Sequence, residues 1–380
     1  MLNQEQKMIR DLARDFSENE LFPYAAKWDS EVIFPEKQIK MMGQLGLLGV
    51  QVSEKWGGSG LGNTELALVI EEIAAGDGGC STILAVQNSV VCMPIETFGS
   101  TDQKQKYLKD LVKGEVLGAF MLTEPHTGSD AGAIKTRAEK VGNKYILNGA
   151  KSFISTGSRA GLAITFAVTD PSKNSRGISA FIVPTDSPGY TVNRIEKKLG
   201  QRSSETCSIT LDNVEITPDL MLAEEGDGYR IALSNLEGGR IGVAAQSVGM
   251  ARSAYNEALK YAIERESFGQ KIANHQAIAF KLAEMKTKIE VARQMYLHAA
   301  DLRDSGVKCV EEASMAKLFA SEMAEEVCSD AIQIHGGYGY LQDFPVERIY
   351  RDVRVTQIYE GTSEIQKLVI SREILSENYS

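Results

Sequence analysis

The sequence predicts a multidomain α+β protein in which a helical domain, a β domain and a second helical domain follow one another. Two changes along the 380 residues support this prediction. Near residue 119, helical spacing of apolar residues gives way to short runs rich in Ile, Val, Phe and Thr, and after Gly228 the helical spacing returns. We therefore expect domains at residues 1–118, 119–228 and 229–380.

The N-terminal zone consists of helical patterns. Segment 65–75 (ELALVIEEIAA) has apolar residues three and four apart, segment 83–99 is a helix containing Pro94, and segment 101–114 is a helix ending at Gly114. The first sixteen residues are amphipathic and lack the apolar core of a secretion signal. No run approaches the roughly 18 apolar residues of a membrane span, so we expect a soluble intracellular protein that does not associate with membranes.

The central zone contains strand-like runs separated by Gly, Pro, Asn and Asp. Asn148-Gly149 is a hairpin signal, and the runs follow one another too closely for helices to intervene. We expect an antiparallel sheet or small barrel.

The C-terminal zone returns to long alanine-rich helical patterns. Segments 251–265 and 313–334 keep their apolar residues on one face, and the second stops at Gly336-Gly337, a plausible C-terminal cap. Helices of this kind usually form a bundle, here a four-helix bundle.

Composition and absent motifs exclude several function classes. A net charge of −10 without any basic run argues against nucleic acid. The five cysteines are odd in number, widely spaced and without C-x-x-C, which indicates a reducing compartment. The chain lacks a Walker A loop, a strand followed by G-x-G-x-x-G, G-x-S-x-G and H-E-x-x-H. The four histidines have no ligand spacing, so no metal is expected.

Polar segments at element boundaries are the candidate site. Segment 122–130 (LTEPHTGSD) permits close backbone approach to a phosphate or ring, or is a surface turn. Segment 151–157 (KSFISTG) pairs an aromatic with hydroxyls, although a plain strand is favoured. Segment 265–269 (RESFG) suits an anion, or is an arginine at a helix C-terminus. Segment 333–340 (QIHGGYGY) permits close approach, or ends a helix.

The segment 358–366 (IYEGTSEIQ) resembles a helix start. Capping explains Thr362, Ser363 and Glu364. It leaves Glu360 without a role.

Considered together, six motifs resemble the acyl-CoA dehydrogenase family over nearly the whole chain. They are T-E-P-x-x-G-S-D at 123–130, F-I-S at 153–155, R-x-x-F-G at 265–269, Q-x-x-G-G-x-G-Y at 333–340, P-V-E-R-I-Y-R-D at 345–352 and I-Y-E-G-T at 358–362. The resemblance implies the same α, β, α order, FAD as cofactor, and oxidation of the Cα–Cβ bond of an acyl-CoA thioester.

The resemblance also assigns roles. Glu360 becomes the catalytic base, and Gly239, where some members carry the base instead, cannot accept a proton. The FAD-binding residues implied are Phe120, Leu122, Thr123, Gly128, Ser129, Phe153, Ile154, Ser155, Phe268, Thr362 and Glu364, with Arg265, Gln276, Gln333, Gly336 and Gly337 reaching the FAD of a neighbouring subunit. The acyl-CoA contacts implied are Ser129, Glu237, Arg240, Tyr359 and Gly361. His126-Thr127 fills a gap where small residues are common, and Phe153 replaces the tryptophan of many relatives.

The sequence around Gly238-Gly239 is similar to that of short-chain and short branched-chain members of the family. We therefore expect an enzyme of fatty acid β-oxidation that forms the trans-2-enoyl-CoA, passes electrons to electron-transfer flavoprotein and assembles as a homotetramer. The alternative is a related acyl-CoA-binding flavoenzyme, either an oxidase or a flavoprotein without turnover. The expected location is the cytoplasm, or the mitochondrial matrix for a processed eukaryotic form.

Overall fold

The computed structural model describes residues 2–379, and its N-terminal part is helical. The helices before the first strand are α1 (Gln4–Phe16), α2 (Phe22–Glu31), α3 (Glu36–Gln44), α4 (Asn63–Gly76), α5 (Gly78–Ala85), α6 (Met93–Phe98) and α7 (Thr101–Val112). Helix α4 is buried along nearly its whole length, which explains why its sequence is apolar around most of its circumference.

Two wide π-helical turns, Ser17–Leu21 and Val86–Cys92, each precede a proline, Pro23 and Pro94. Proline lacks an N–H and its ring clashes with the carbonyl four residues earlier, and a π turn changes that spacing. The expected helix with an internal proline therefore continues from Gly78 to Phe98.

This continuous helix, Gly78–Phe98, is long and apolar enough to cross a membrane, with a mean hydropathy of 1.2. The expectation that no run approaches a membrane span was therefore too strict. Because 83% of the apolar window is buried inside the protein, the segment is a core helix here.

The central sheet is mixed and open, whereas the sequence indicated an antiparallel sheet or barrel. Its strands are β1 (Leu117–Met121), β2 (Arg137–Val141), β3 (Lys144–Ser155), β4 (Ala160–Val168), β5 (Ile178–Pro184), β6 (Tyr190–Ile195), β7 (Thr206–Ile216) and β8 (Met221–Leu222). The order is β6-β7-β3-β2-β4-β5-β8, with β1 beside β4. β1 and β2 run parallel to β4 and the other pairs are antiparallel. Parallel pairing needs a crossover, which residues 122–159 supply.

The hairpin prediction at Asn148-Gly149 was wrong. Those residues lie inside β3 at a register shift, and the β2–β3 turn is at residues 142–143. A Cβ on Gly149 would lie 2.7 Å from Cβ and 2.8 Å from Cα of Thr136. The glycine therefore serves a close approach of two backbone segments.

The C-terminal part forms the predicted helical bundle. Its elements are α8 (Gly228–Glu264), the hairpin strands β9 (Glu266–Ser267) and β10 (Gln270–Lys271), α9 (Gln276–Asp304), α10 (Val310–His335), α11 (Val346–Val353) and α12 (Ser363–Tyr379). Helices α8, α9 and α10 pack against one another and α12 packs on α10.

The two helical parts share one hydrophobic core, because α4 packs between α8 and α9. A buried ion-pair cluster joins the same helices: Arg293 donates to Glu71 Oε1 and Oε2 at 2.7 and 3.0 Å, and Tyr296 donates to the same carboxylate. Burial alone would raise the pKa of Glu71, but Arg293 and Arg252 outweigh it and lower the pKa. The boundary that we proposed at 118/119 falls inside β1, after its second residue, and the one at 228/229 falls after the first residue of α8. The division into domains stays a prediction.

Candidate active site

A cavity of about 2110 Å³ lies between the turn 123–130, the sheet, α8 and the segment before α12. It exceeds the size of an ordinary small-molecule pocket. Fourteen of the residues proposed from the sequence line it: Phe120, Leu122, Thr123, Gly128, Ser129, Phe153, Ile154, Ser155, Glu237, Arg240, Tyr359, Glu360, Gly361 and Thr362. Residues far apart in the chain thus meet at one site large enough for two ligands.

The turn that carries Glu360 has an unusual backbone. Glu360 has φ 54° and Gly361 has φ 88°, so a non-glycine residue is held in the left-handed region, at a cost of about 1–3 kcal/mol. Gln366 Nε2 donates to the carbonyls of Glu360 at 3.0 Å and Gly361 at 2.9 Å, and Lys317 Nζ donates to Gly361 O at 2.8 Å. These donors fix the turn in its strained form.

The capping prediction is confirmed at Thr362. Its Oγ1 accepts a hydrogen bond from Ile365 N at 3.3 Å at the start of α12. Among the described residues Ser363 Oγ is buried without a partner, so it is not the cap.

Glu360 is half-buried as a residue, but its Oε2 is buried and, within residues 2–379, has no hydrogen-bond partner. Burial raises the pKa of Glu360 to about 7, against the opposing charges of Arg240 and Lys317. A carboxylate with this basicity, open on one side to a cavity, can act as a general base near neutral pH.

Gly239 lies directly opposite this carboxylate. A Cβ at position 239 would be 2.7 Å from Glu360 Oε2 and 2.9 Å from its Cδ. Position 239 therefore has to be a glycine for Glu360 to occupy its present place. Positions 239 and 360, the two at which members of the family carry the base, thus lie next to each other in the fold.

Glu237 and Arg240 belong to the same face of α8. Arg240 Nη1 donates to Ser314 Oγ at 3.2 Å, while its Nε is buried and unpaired among the described residues. Glu237 Oε1 lies 3.3 Å from Arg303 Nη1 and accepts from Cys309 Sγ at 3.3 Å. α9 and α10 thus orient both side chains.

A polar chain lies beside Glu360. Tyr359 donates its hydroxyl hydrogen to Gln246 Oε1, and Gln246 Nε2 donates to Ser81 Oγ and Thr82 Oγ1, each at 2.8 Å. Burial raises the pKa of Tyr359 to about 12, so the phenol remains neutral. Gln246, Thr82 and Tyr359 all line the cavity. This part of the wall is therefore polar but already hydrogen-bonded within the protein.

The segment 123–130 forms a turn and lines the cavity, and its approach to a phosphate or ring stays a prediction. Lys151, fully buried, donates to Glu124 Oε1 at 2.8 Å, and Glu124 also accepts the N–H groups of Lys135 and Thr136. Burial would raise the pKa of Glu124, but Lys151 outweighs it and lowers the pKa. Thr127 exchanges two backbone hydrogen bonds with Glu124. Thr127 Oγ1 also donates to Asp130 O at 2.6 Å, so Thr127 takes part in the hydrogen bonding of the turn.

The residues present fit a flavin. Phe153 is 71% exposed in a chain without ligands and adopts φ 58°, which leaves an aromatic plate in the cavity wall. In the same wall, Ser204 Oγ is buried and lacks a partner among the described residues. Apolar and hydroxyl groups side by side suit a ring system with polar edges.

The remaining proposed residues are not brought to this cavity. Arg265, Gly336 and Gly337 line a second cavity of about 420 Å³, together with His335, whose ring stacks on Tyr261 at 4.4 Å. Phe268 is 98% exposed at the tip of the β9–β10 hairpin. Gln276, Gln333 and Glu364 line neither cavity.

Sequence reasoning missed Lys317, Gln246 and Gln366. A signal existed for Lys317, since it interrupts the buried alanines of α10. Gln246 and Gln366 are fully or almost fully buried amides on helices, and a single sequence offers no means of separating them from solvated glutamines.

Three family models together match nearly the whole chain. Residues 3–115 match the acyl-CoA dehydrogenase N-terminal domain, residues 119–214 the middle domain and residues 226–375 the C-terminal domain.

Similar proteins cover nearly the full chain. An acyl-CoA dehydrogenase of Bacillus subtilis (strain 168) is 49% identical over 374 residues, 98% of this chain and 99% of the relative. An acryloyl-CoA reductase (NADH) of Anaerotignum propionicum is 44% identical over 376 residues, 98% of this chain and 95% of the relative.

Solved structures agree with these relatives. Butyryl-CoA dehydrogenase from Megasphaera elsdenii has a TM-score of 0.97, 41% identity and 99% coverage of both chains. A chain from a structural study of the electron transferring flavoprotein of Acidaminococcus fermentans has a TM-score of 0.97, 44% identity and 99% coverage of both chains.

Proposed function

The chain belongs to the acyl-CoA dehydrogenase family, and from this premise we propose that Glu360 is the base that removes the α-proton in the oxidation of a short-chain acyl-CoA to its trans-2-enoyl-CoA. At the coarser level the chain is an FAD-dependent oxidoreductase of short-chain acyl-CoA dehydrogenase type. The observation that carries the residue assignment is the half-buried Glu360 side chain in the cavity wall, whose Oε2 is buried and unpaired within residues 2–379.

The reaction begins at the substrate α-carbon. The Glu360 carboxylate takes the α-proton, and the pair of electrons from that C–H bond forms the Cα–Cβ double bond as the β-hydrogen departs as hydride. Enolate character develops on the thioester oxygen, which we assign to the backbone N–H of Glu360. Gly361 leaves room for the thioester because it has no side chain.

FAD, when bound, accepts the hydride. We propose that the residues holding it from this chain are Phe153, Ile154, Ser155 and Thr362, with Thr123, Ser129 and their neighbours on the turn 123–130. Glu364, which is exposed, remains part of this proposal without cavity contact.

Substrate length is the finer question. The hydrogen-bonded side chains of Tyr359, Gln246 and Thr82 form the part of the cavity wall next to Glu360. A long acyl chain would have to displace them. Displacing them would leave buried polar groups without partners, at about 1–3 kcal/mol each. This supports butyryl-CoA or a short branched acyl-CoA in preference to octanoyl-CoA.

Two partners are proposed. Electron-transfer flavoprotein is the proposed electron acceptor, supported by the similarity to a chain studied with such a protein. A homotetramer is supported by Phe268, an almost fully exposed aromatic on a hairpin tip, and by the second cavity, whose residues the resemblance assigns to a neighbouring subunit's FAD. All five cysteines are free and buried, which supports a reducing compartment such as the cytoplasm.

A second candidate is the reverse reaction. The similarity to an acryloyl-CoA reductase that uses NADH favours reduction of a short enoyl-CoA by the same residues. Glu360, protonated, would then return a proton to the α-carbon, while the β-carbon would receive a hydride from the flavin reduced by NADH.

One set of measurements separates these functions. The purified flavoprotein is mixed without oxygen with butyryl-CoA, isobutyryl-CoA and octanoyl-CoA, and loss of flavin absorbance is recorded. Fast bleaching by a four-carbon substrate supports the proposal, and failure of all three to bleach the flavin contradicts it. NADH oxidation that depends on added acryloyl-CoA identifies the reductase, and rapid reoxidation by air identifies an oxidase.

The variant Glu360→Gln tests the base. It keeps shape and removes the proton acceptor, so it should bind FAD and acyl-CoA while the bleaching rate falls by at least about 10²-fold. A rate close to that of the wild type would place the base elsewhere.

A further inference from the structure

The side chain of Lys317 lies next to the proposed base and has no role in the reaction described above. It is fully buried on α10 among Ala313, Ala316 and Ala320. Fully buried lysines are rare unless paired. Its Nζ donates to Gly361 O, a main-chain carbonyl, at 2.8 Å. If this side chain only filled space, methionine would do so without the free-energy cost of burying a charge.

The positive charge of Lys317 lies where it would be expected to destabilise a neighbouring helix. α12 begins at Ser363, two residues after the carbonyl that Lys317 binds, and a positive charge near a helix N-terminus is destabilising. The arrangement therefore calls for a compensating interaction, and Glu360, on the same turn, is the negative group that interacts most strongly with Lys317.

Two donors bind the same strained turn but differ in charge. Lys317 Nζ and Gln366 Nε2 both donate to Gly361 O, and Gln366 also binds Glu360 O. Gln366 supplies geometry alone, whereas Lys317 supplies geometry together with a charge. The structure thus contains its own control for separating the two effects.

We propose that Lys317 is a positioning residue, which anchors the Glu360–Gly361 turn to α10 and keeps a positive charge beside the base. This inference rests on the proposed function. The charged groups that act on the pair are Arg240 on α8, which favours ionised Glu360 and disfavours charged Lys317, and Glu322 on α10 and Glu364 on α12, which favour charged Lys317. Burial lowers the pKa of Lys317 to about 8, so the charge is present at neutral pH.

The sign of the effect follows from charge. A positive Lys317 favours ionised Glu360, so removing it raises the pKa of Glu360 and leaves more of the base protonated at a given pH. The acid limb of the flavin-reduction rate should then move to higher pH, by about one unit for a neighbouring opposite charge.

Four variants separate geometry from charge. Lys317→Met removes donor and charge, Lys317→Gln keeps a donor without charge, Lys317→Arg keeps the charge, and Gln366→Met removes the neutral donor. Each is purified with FAD and its anaerobic reduction by butyryl-CoA is followed by stopped flow from pH 5.5 to 8.5, giving the substrate dissociation constant separately from the rate.

We expect Lys317→Met to slow reduction at least tenfold, with substrate affinity changed less than threefold and the acid limb moved upward. Lys317→Gln should move the limb equally but slow the reaction less. Lys317→Arg and Gln366→Met should leave the limb in place, the latter with a reduced rate. A side chain with a purely structural role would change stability without moving the limb.

The proposal would be overturned if the acid limb of the pH–rate profile stayed in place in both Lys317→Met and Lys317→Gln. Loss of FAD from both neutral variants would also overturn it, because it would assign Lys317 to folding. Failure of the proposed function is recognised separately, since the wild-type flavin would then remain unreduced by every acyl-CoA tried.

Discussion

Gly239→Ala should slow flavin reduction strongly while leaving the fold intact or slightly more stable. The new Cβ would lie 2.7 Å from Glu360 Oε2 and 2.9 Å from Cδ, whereas ordinary contacts begin at 3.4 Å. The carboxylate must therefore move by about 0.7 Å, which the flexible end of a glutamate permits. Misplacement of a reacting group by about 1 Å costs roughly 10²-fold in rate.

We therefore expect flavin reduction to slow by about 30–100-fold, or about 2–2.7 kcal/mol in activation free energy at 1.36 kcal/mol per decade. Alanine in place of glycine within a helix should change the free energy of unfolding by about +0.5–1 kcal/mol. The assay pairs stopped-flow reduction by butyryl-CoA with thermal unfolding of the same preparation.

Gly238→Ala is the matched control. It makes the same substitution one residue earlier in α8, and its Cβ would lie no closer than 3.6 Å to Arg303 Nε. It should gain the same helix propensity and keep its rate within about threefold. Equal rates of flavin reduction in the two variants, or a wild-type rate in Gly239→Ala, would refute the argument that a Cβ at position 239 and the Glu360 carboxylate compete for the same space.

Three further outcomes follow from the structure. Because the pKa of Glu360 is about 7 and the ionised form is the base, kcat/KM for butyryl-CoA should rise tenfold per unit below pH 7 and level off above it; a flat profile from pH 5.5 to 8 would exclude Glu360. Glu71→Leu removes the buried acceptor shared by Arg293, Arg252 and Tyr296 and should lower the free energy of unfolding by about 3–5 kcal/mol in urea titrations. Glu290→Leu, which removes the more exposed acceptor of Arg293, is the mild control. The stabilisation by ionised Glu71 is present above its unfolded pKa and lost as pH falls through the lowered folded value, so the difference between wild type and Glu71→Leu should shrink in acid. Phe268→Asp should shift the protein to a smaller species in sedimentation without unfolding it, because its ring is 98% exposed in one chain; an unchanged mass would remove Phe268 from the interface.

The order of the three zones could be predicted from the sequence because it depends on local periodicity. Apolar spacing in segments 65–75 and 313–334 identified α4 and α10, and the glycines at 336–337 marked the end of α10. The sheet was only partly predictable. Which strands pair in parallel depends on contacts across the chain, as between β1 and β4, and Asn148-Gly149 has the composition of a hairpin but serves a close backbone approach.

The carboxylate that we propose as the base shows where local information ends. The sequence by itself determined that Glu360 exceeds what a helix cap needs, and its motif linked it to a family. Tertiary structure alone decided that Glu360 faces Gly239, with Lys317 and Gln366 holding its turn. Basicity, burial and strain arise only when α8, α10 and α12 meet around one side chain, and no pattern along a single chain encodes that meeting.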